Sequence, residues 1–317
     1  MRFKKIVPFV YRFSDFLPRK HKIFSDSEDL SCKPFFILGS GRNGSTLLGS
    51  ILNQHSKIVI TPEEYSLPYV IIKYKLLNWL KWENIIKIIT AHFFEKQNNV
   101  RWRLEYDDLY SNLIRLPKNE RTLQRVVDEI YIFFINEKNK NSFEVWGDKT
   151  PKITEFTKYI YPIYPDSKYV FLLRDGRDVI SSILKRRKPI SKKSNKEILD
   201  YAVWKWNNSI AMWEWLKKQS DNQNLHITFY EDLVTDTEKT IKAVTNHIGF
   251  NYENNMLNFQ ESINFMGVEK MAHHQNLKNP INPQSIGKWQ KELTKEELNY
   301  IMPKIRHNLV KYRYITK

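Results

Sequence analysis

Between Phe35 and Thr46 the chain reads Phe-Phe-Ile-Leu-Gly-Ser-Gly-Arg-Asn-Gly-Ser-Thr, an apolar run that stops at Gly39 in a glycine-rich turn. Apolar residues resume at Leu47, Leu48, Ile51 and Leu52 with helical spacing. The pattern is strand, tight loop, helix. Gly39, Gly41 and Gly44 admit backbone angles that side chains resist, so loop N–H groups and the helix N-terminus can converge on one anion. The spacing Gly-x-x-x-x-Gly followed by Ser45-Thr46 is that of a phosphate-binding loop, but the Lys that should follow the second Gly is missing. That Lys normally reaches the β- and γ-phosphates, so its absence argues against ATP or GTP hydrolysis. Arg42 offers a forked cation inside the loop instead, suited to a terminal anion that is not a γ-phosphate. The plainer alternative for this stretch is a Gly-rich strand-to-helix turn.

A chain of 317 residues, 41% hydrophobic and 14% aromatic, can bury a sizeable core as one large domain with insertions. Its 51 basic and 35 acidic residues leave a formal charge of +16. That surplus fits an anionic cosubstrate, an acidic glycan, nucleic acid or a membrane surface, and equally a Lys-rich composition with solvated faces. Cys32 is the only cysteine, which excludes an internal disulfide and a Cys-type metal site. The basic N-terminus MRFKKIVPFVYRFSDFLPRK has a short apolar run broken by Pro8, a poor signal peptide and too short to span a bilayer. The reading is a cytoplasmic protein, with basic residues around Ile6–Phe13 leaving peripheral membrane contact open.

Residues 1–33 read as an extension and 34–317 as the main domain. A second strand at 57–60 enters Thr61-Pro62-Glu63-Glu64. Spacing alone makes those acids the polar first turn of the next helix. From 67 to about 138 the pattern is a helical insertion, whose stretch 69–94 suits lipid, a lid or core packing. A strand at 143–146 ends in Gly147-Asp148-Lys149-Thr150-Pro151, with Pro151 opening a helix and Thr150 or Asp148 as its cap. The strand 168–173 ends at Arg174-Asp175-Gly176-Arg177-Asp178, where a nucleotide hydrolase would place a metal-binding Asp first. Arg174 and Ser182, eight apart, meet on one phosphate if the chain turns sharply at Gly176. Helix 196–219 carries Trp206, Ile210 and Trp213 on one buried face. A last strand, 225–229, enters Tyr230-Glu231-Asp232-Leu233, and helix 236–248 closes at Gly249. Residues 251–284 read as a loop; their His273-His274 pair has no third ligand at a regular spacing and is not read as a metal site. Thr294 and Glu297 form a capping box for the final helix. This β-loop-α-β order predicts a P-loop-like, three-layer α/β domain around a central parallel sheet, with ligands at the carboxyl ends of the strands.

Four segments in order resemble the sulfotransferases that use 3′-phosphoadenosine 5′-phosphosulfate (PAPS), in the bacterial and Golgi-type branch that includes tyrosylprotein sulfotransferases. They are Gly39–Leu48, Gly147–Pro151, Arg174–Val179 with Ser182, and Tyr230–Leu233 with the later Gly287-Lys288-Trp289. The resemblance covers residues 35 to about 314. It implies that Arg42, Asn43, Gly44, Ser45 and Thr46 cradle the 5′-phosphosulfate, and that Arg174 and Ser182 hold the 3′-phosphate. Tyr230 and Lys288 would be further nucleotide contacts. It places the catalytic base on Glu63, with neighbouring Glu64 still open, and gives Arg42 and Lys149 the role of stabilising charge on the transferring group. No metal is implied.

Three positions depart from the family pattern. Asn43 stands where Ser is common, Phe229 replaces an Arg before the Tyr-Glu-Asp-Leu motif, and Pro62-Glu63-Glu64-Tyr65 lacks the Arg that follows the base in tyrosylprotein enzymes. The last departure turns the expected acceptor toward a glycan or glycolipid hydroxyl, with a peptide tyrosine as the alternative and a P-loop small-molecule kinase behind it. No nucleic-acid module is recognised, so nucleic acid is not an expected partner.

Overall fold

The computed structural model describes residues 9, 11–26, 30, 33–95, 106–137, 142–262 and 280–316. In chain order the strands and α-helices are β1 (Phe35–Leu38), α1 (Ser45–Leu52), β2 (Ile58–Ile60), α2 (Leu67–Leu77), α3 (Trp82–Glu95), α4 (Tyr106–Ile114), α5 (Leu123–Glu137), β3 (Val145–Asp148), α6 (Pro151–Glu155), α7 (Thr157–Ile160), β4 (Lys168–Leu173), α8 (Gly176–Arg187), α9 (Asn195–Gln219), β5 (Leu225–Phe229), α10 (Tyr230–Thr235), α11 (Thr237–Ile248), α12 (Trp289–Glu292) and α13 (Lys295–Lys311).

The strands form one sheet in the order β2-β3-β1-β4-β5, every neighbouring pair parallel. Phe36 and Leu38 face one apolar cluster and Phe35 and Ile37 the other. Helices cover both faces, which is why β1 and β4 read as continuous apolar runs rather than alternating ones. The chain leaves β1 toward one edge and β4 toward the other, so the crevice between them is the switch point where α/β sheets bind ligands.

The helical insertion packs on the first of these clusters. Val70, Ile71, Tyr74, Ile85, Ile86 and Ile89 are all buried there, so the stretch 69–94 is core-packed. Described residues of the N-terminal extension, among them Asp15 and Ile23, lie along it. Ile23 enters the same core, and Lys75 Nζ sits 2.7 Å from Asp15 Oδ1. The Asn78 side chain accepts from His21 N–H at 2.7 Å and donates to its carbonyl at 3.0 Å. No helix among the described residues is long and apolar enough to cross a membrane.

Two expected boundaries differ. The third strand occupies 145–148 rather than 143–146, because Gly147 and Asp148 pair with Phe35 and Phe36 of β1 while Ile60 of β2 pairs with Gly147. Gly and Asp are poor strand formers, and the neighbours on both sides override that preference. The helix expected at 236–248 is α11, which starts at Thr237 because Asp236, with φ of −138° and ψ of 63°, leaves the helical region and separates it from the short α10 before it. Gly249 closes α11 at φ 102°, and the Thr294–Glu297 capping box opens α13. Much of the expected loop 251–284, including His273 and His274, lies outside the described residues.

Candidate functional site

The sheet's carboxyl edge gathers the sequence-derived candidates. The Gly-rich loop leaves β1, Glu63 follows β2, Lys149 follows β3, Arg174 follows β4 and Tyr230 follows β5. Within the loop, Gly41 and Gly44 have φ of 72° and 94°, and Arg42 itself has φ 58°. A non-glycine residue in that region carries strain that surrounding structure must hold, a recurrent property of ligand loops. Here the anchors are visible. Gly39 N–H donates to Thr154 Oγ1 at 2.8 Å, and Asn43 Nδ2 donates to the Leu172 carbonyl of β4 at 2.6 Å. Asn43, the departure from Ser, thus ties the loop to the neighbouring strand. A Cβ on Gly44 would lie 2.4 Å from Tyr230 Cδ2, so the tyrosine ring closes against the loop where only glycine fits. Ser45 and Thr46 open α1, whose first N–H groups have no intrahelical acceptor.

Leu173 pairs with Phe229, so the residues that follow them emerge side by side. The Arg174 guanidinium lies over the Tyr230 ring at 4.3 Å. Arg174 Nη1 donates to the Arg42 carbonyl at 3.2 Å and Nη2 to the Ser285 carbonyl at 2.5 Å. Its Nε is buried without a partner. Arg42 Nε in turn donates to Ser182 Oγ at 3.0 Å. Gly176 opens α8 against Trp206, whose Nε1 donates to the Arg174 carbonyl at 2.9 Å. The turn at Gly176 therefore brings Arg174 and Ser182 to the same residue, Arg174 to the Arg42 carbonyl and Ser182 to its Nε. Burial pulls the Arg42 pKa down to about 10, with Arg186 and Arg174 adding to the fall and Glu63 opposing it. Arg42 stays charged at neutral pH. Buried cations, an unpartnered guanidinium N–H, a hydroxyl and a helix N-terminus suit a polyanionic nucleotide.

Glu63 and Glu64 separate cleanly. Lys149 Nζ, almost fully buried, lies 3.3 Å from Glu63 Oε1, and Tyr65 Oη donates to Glu63 Oε2 at 2.9 Å. Glu64 turns inward: its Oε1 accepts from Ser66 N–H at 2.7 Å at the start of α2. The helix-turn role expected for the pair belongs to Glu64 alone. Glu63 is the carboxylate that meets Lys149.

Lys288 sits in the turn before α12. Asp178 fixes that turn by accepting from Gly287 N–H at 2.9 Å and Trp289 N–H at 3.0 Å. Burial pushes the Asp178 carboxyl up, against these bonds and Arg174. Glu231 of α10 accepts from Asp175 N–H and from Tyr314 Oη, each at 3.0 Å, so the C-terminal segment joins the same edge. Sequence reasoning missed Arg186, Tyr65 and Asp178 as members of the site. Arg186 had a signal, four residues after Ser182 and so one helical turn along.

Comparison with known proteins adds identity to this geometry. The model of the sulfotransferase family matches residues 34–254. A putative protein-tyrosine sulfotransferase of Caenorhabditis briggsae is 25% identical over 262 residues, covering 80% of this chain and 79% of that protein. Protein-tyrosine sulfotransferase A of Caenorhabditis elegans is 21% identical over 271 residues, covering 81% of this chain and 61% of its own. Among solved structures, the sulfotransferase domain of the Synechococcus PCC 7002 olefin synthase superposes with a TM-score of 0.58 at 19% identity, covering 92% and 98% of the two chains. The sulfotransferase domain from the curacin biosynthetic pathway gives 0.57, also at 19% identity, covering 87% and 98%. Both likenesses are of fold. With a family match over residues 34–254 and the expected motifs gathered at one sheet edge, the chain belongs to the sulfotransferase family.

Proposed function

We propose that this enzyme moves the sulfuryl group of PAPS to an acceptor hydroxyl with Glu63 as the base. The observation that carries the reading is the Glu63–Lys149 pair at 3.3 Å, beside the Arg42 loop. The acceptor oxygen attacks sulfur, its proton passes to the Glu63 carboxylate, and the bond from sulfur to the bridging phosphate oxygen breaks, releasing 3′-phosphoadenosine 5′-phosphate. Arg42 and Lys149 supply fixed positive charge where negative charge grows on the equatorial and bridging oxygens. Asn43, Gly44, Ser45 and Thr46 offer the loop and helix N-terminus to the 5′-phosphosulfate. Arg174 and Ser182 bind the 3′-phosphate, Tyr230 packs beside them, and Lys288 reaches in from the late turn.

The acceptor we favour is a glycan or glycolipid hydroxyl, on the ground that Tyr65 and not Arg follows the glutamates. The second reading, a peptide tyrosine, draws support from the protein-tyrosine sulfotransferase relatives. A transfer assay with radiolabelled PAPS against a saccharide panel and a tyrosine peptide separates them: label on peptide alone overturns the glycan reading. Thermal shift with 3′-phosphoadenosine 5′-phosphate against ATP and AMP tests the donor site, and a shift with Mg·ATP alone would overturn it.

Location in the cytoplasm with peripheral membrane contact belongs to the same reading. Phe9, Phe13 and Phe16 are 74%, 51% and 85% exposed, next to exposed Arg12 and Arg19. Apolar rings among cations suit an anionic lipid surface. Equal sedimentation with phosphatidylserine-containing and phosphatidylcholine vesicles would overturn that part.

A further inference from the structure

Thr150 occupies the N-cap position of α6, where a threonine hydroxyl normally accepts from the helix's own first turn. It makes no such bond. Its Oγ1 accepts from the N–H of Glu64, 86 residues earlier in sequence, at 3.0 Å. Its own N–H donates to Asp148 Oδ1 at 2.7 Å, and Tyr131 Oη donates to Asp148 Oδ2 at 2.5 Å. Asp148 and Thr150 are both fully buried. A continuous chain of bonds thus runs from Tyr131 on α5, through Asp148 at the end of β3, through Thr150, to the backbone of Glu64.

Glu64 is held at two points, its N–H by Thr150 and its carboxylate by Ser66 N–H. With Glu64 buried and held at these two points, its neighbour Glu63 is the partly exposed carboxylate that meets Lys149. Lys149 lies between Asp148 and Thr150, so the same two residues that anchor the glutamate loop also frame the lysine. Thr61 N–H, bonded to the Gly147 carbonyl at 3.1 Å, attaches the start of the loop to the same strand.

We propose that Thr150 is a positioning residue for sulfuryl transfer: held by Asp148, it pins Glu64 through its backbone and so sets the Glu63 carboxylate against Lys149. The proposal rests on the reading of Glu63 as the base. Its cost is an uncapped α6, and its product is a fixed base–cation pair. Thr150 does not touch the transferring group; it acts through the loop.

The test uses the full chain with Thr150→Val, which keeps the side chain's shape and removes the acceptor, and Thr150→Ser, which restores it. Hydrogen exchange of a peptide covering 61–66 should quicken roughly tenfold in Thr150→Val, as expected for one lost buried hydrogen bond, and return to the wild-type rate in Thr150→Ser. Release of labelled sulfate from PAPS, with water as the acceptor where no better one is at hand, should fall roughly tenfold in Thr150→Val with KM for PAPS unchanged. In a Glu63→Gln background the same substitution should cost less than about twofold, because residues that act through one group are not additive. Unchanged exchange at 61–66 in Thr150→Val would overturn the proposal, as would full additivity with Glu63→Gln. Wild-type turnover in Glu63→Gln would instead overturn the base assignment, and the exchange measurement would still decide whether Thr150 holds the loop.

Discussion

Arg42 and Arg174 are joined through a backbone carbonyl: the guanidinium of Arg174 donates to the main-chain oxygen of Arg42 at 3.2 Å. Two like charges are thereby brought together, and burial with this proximity lowers the Arg42 pKa to about 10. Arg174→Ala should abolish the thermal shift given by 3′-phosphoadenosine 5′-phosphate, which at about 100 times its dissociation constant stabilises the wild type by roughly 2.7 kcal/mol. Arg174→Lys should recover little of it, because the lysine head cannot span the Arg42 and Ser285 carbonyls together. Differential scanning fluorimetry reads both.

Glu63→Gln should lower turnover by roughly 10²–10⁴ while leaving the bisphosphate shift intact. Glu64→Gln should keep turnover within an order of magnitude, since the amide oxygen still accepts from Ser66 N–H at the start of α2. Full activity in Glu63→Gln with a dead Glu64→Gln would move the base by one residue. Steady-state rates with saturating PAPS decide.

Gly44→Ala places a methyl group against the Tyr230 ring at a residue whose φ is 94°. The variant should lose roughly 1–3 kcal/mol of stability and most of its affinity for the bisphosphate. Chemical denaturation and fluorimetry measure the two effects separately. A Gly44→Ala protein that binds as tightly as wild type would mean that the Tyr230 ring moves away at little cost.

Burial pushes the Asp148 carboxyl from 3.8 up to about 6. Between these values the native state holds a proton that the unfolded chain has released, so stability falls as pH rises from about 4 to about 6. The full effect is about 3 kcal/mol. Asp148→Asn removes the titration. Stability of the wild type relative to Asp148→Asn should therefore decline across that window and level off above it, as read by urea denaturation at each pH. A constant difference from pH 4 to 7 would contradict the shift.

Much of the fold was legible because the strands are buried on both sides. Lys168–Leu173 and Leu225–Phe229 appear with the ends their apolar runs suggest. The strand at 145–148 was displaced in the reading because Gly147 and Asp148 owe their conformation to partners far away in sequence. The site shows the same division. Motif spacing located Arg42, Lys149, Arg174 and Tyr230 at or just beyond strand ends and Ser182 in the helix after β4, where the structure also has them. It could not tell Glu63 from Glu64, since the difference lies in a threonine hydroxyl 86 residues away. Nor could it find Asp178 beneath the turn at 287–289, because that carboxylate meets backbone N–H groups, which carry no sequence signal.

The ties from Arg174 to Ser285, from Asp178 to Gly287 and Trp289, and from Glu231 to Tyr314 all reach past residue 254, where the family match ends. An expression boundary drawn at that limit would retain every strand of the sheet and most of the recognisable motifs. It would also leave Arg174, Asp178 and Glu231 without the groups they hold in the whole chain. Such a fragment would keep the family's recognisable motifs yet lack the backbone and tyrosine groups that those three side chains grip. The described residues beyond that limit, 280–316, are what Arg174, Asp178 and Glu231 grip at the sheet's carboxyl edge.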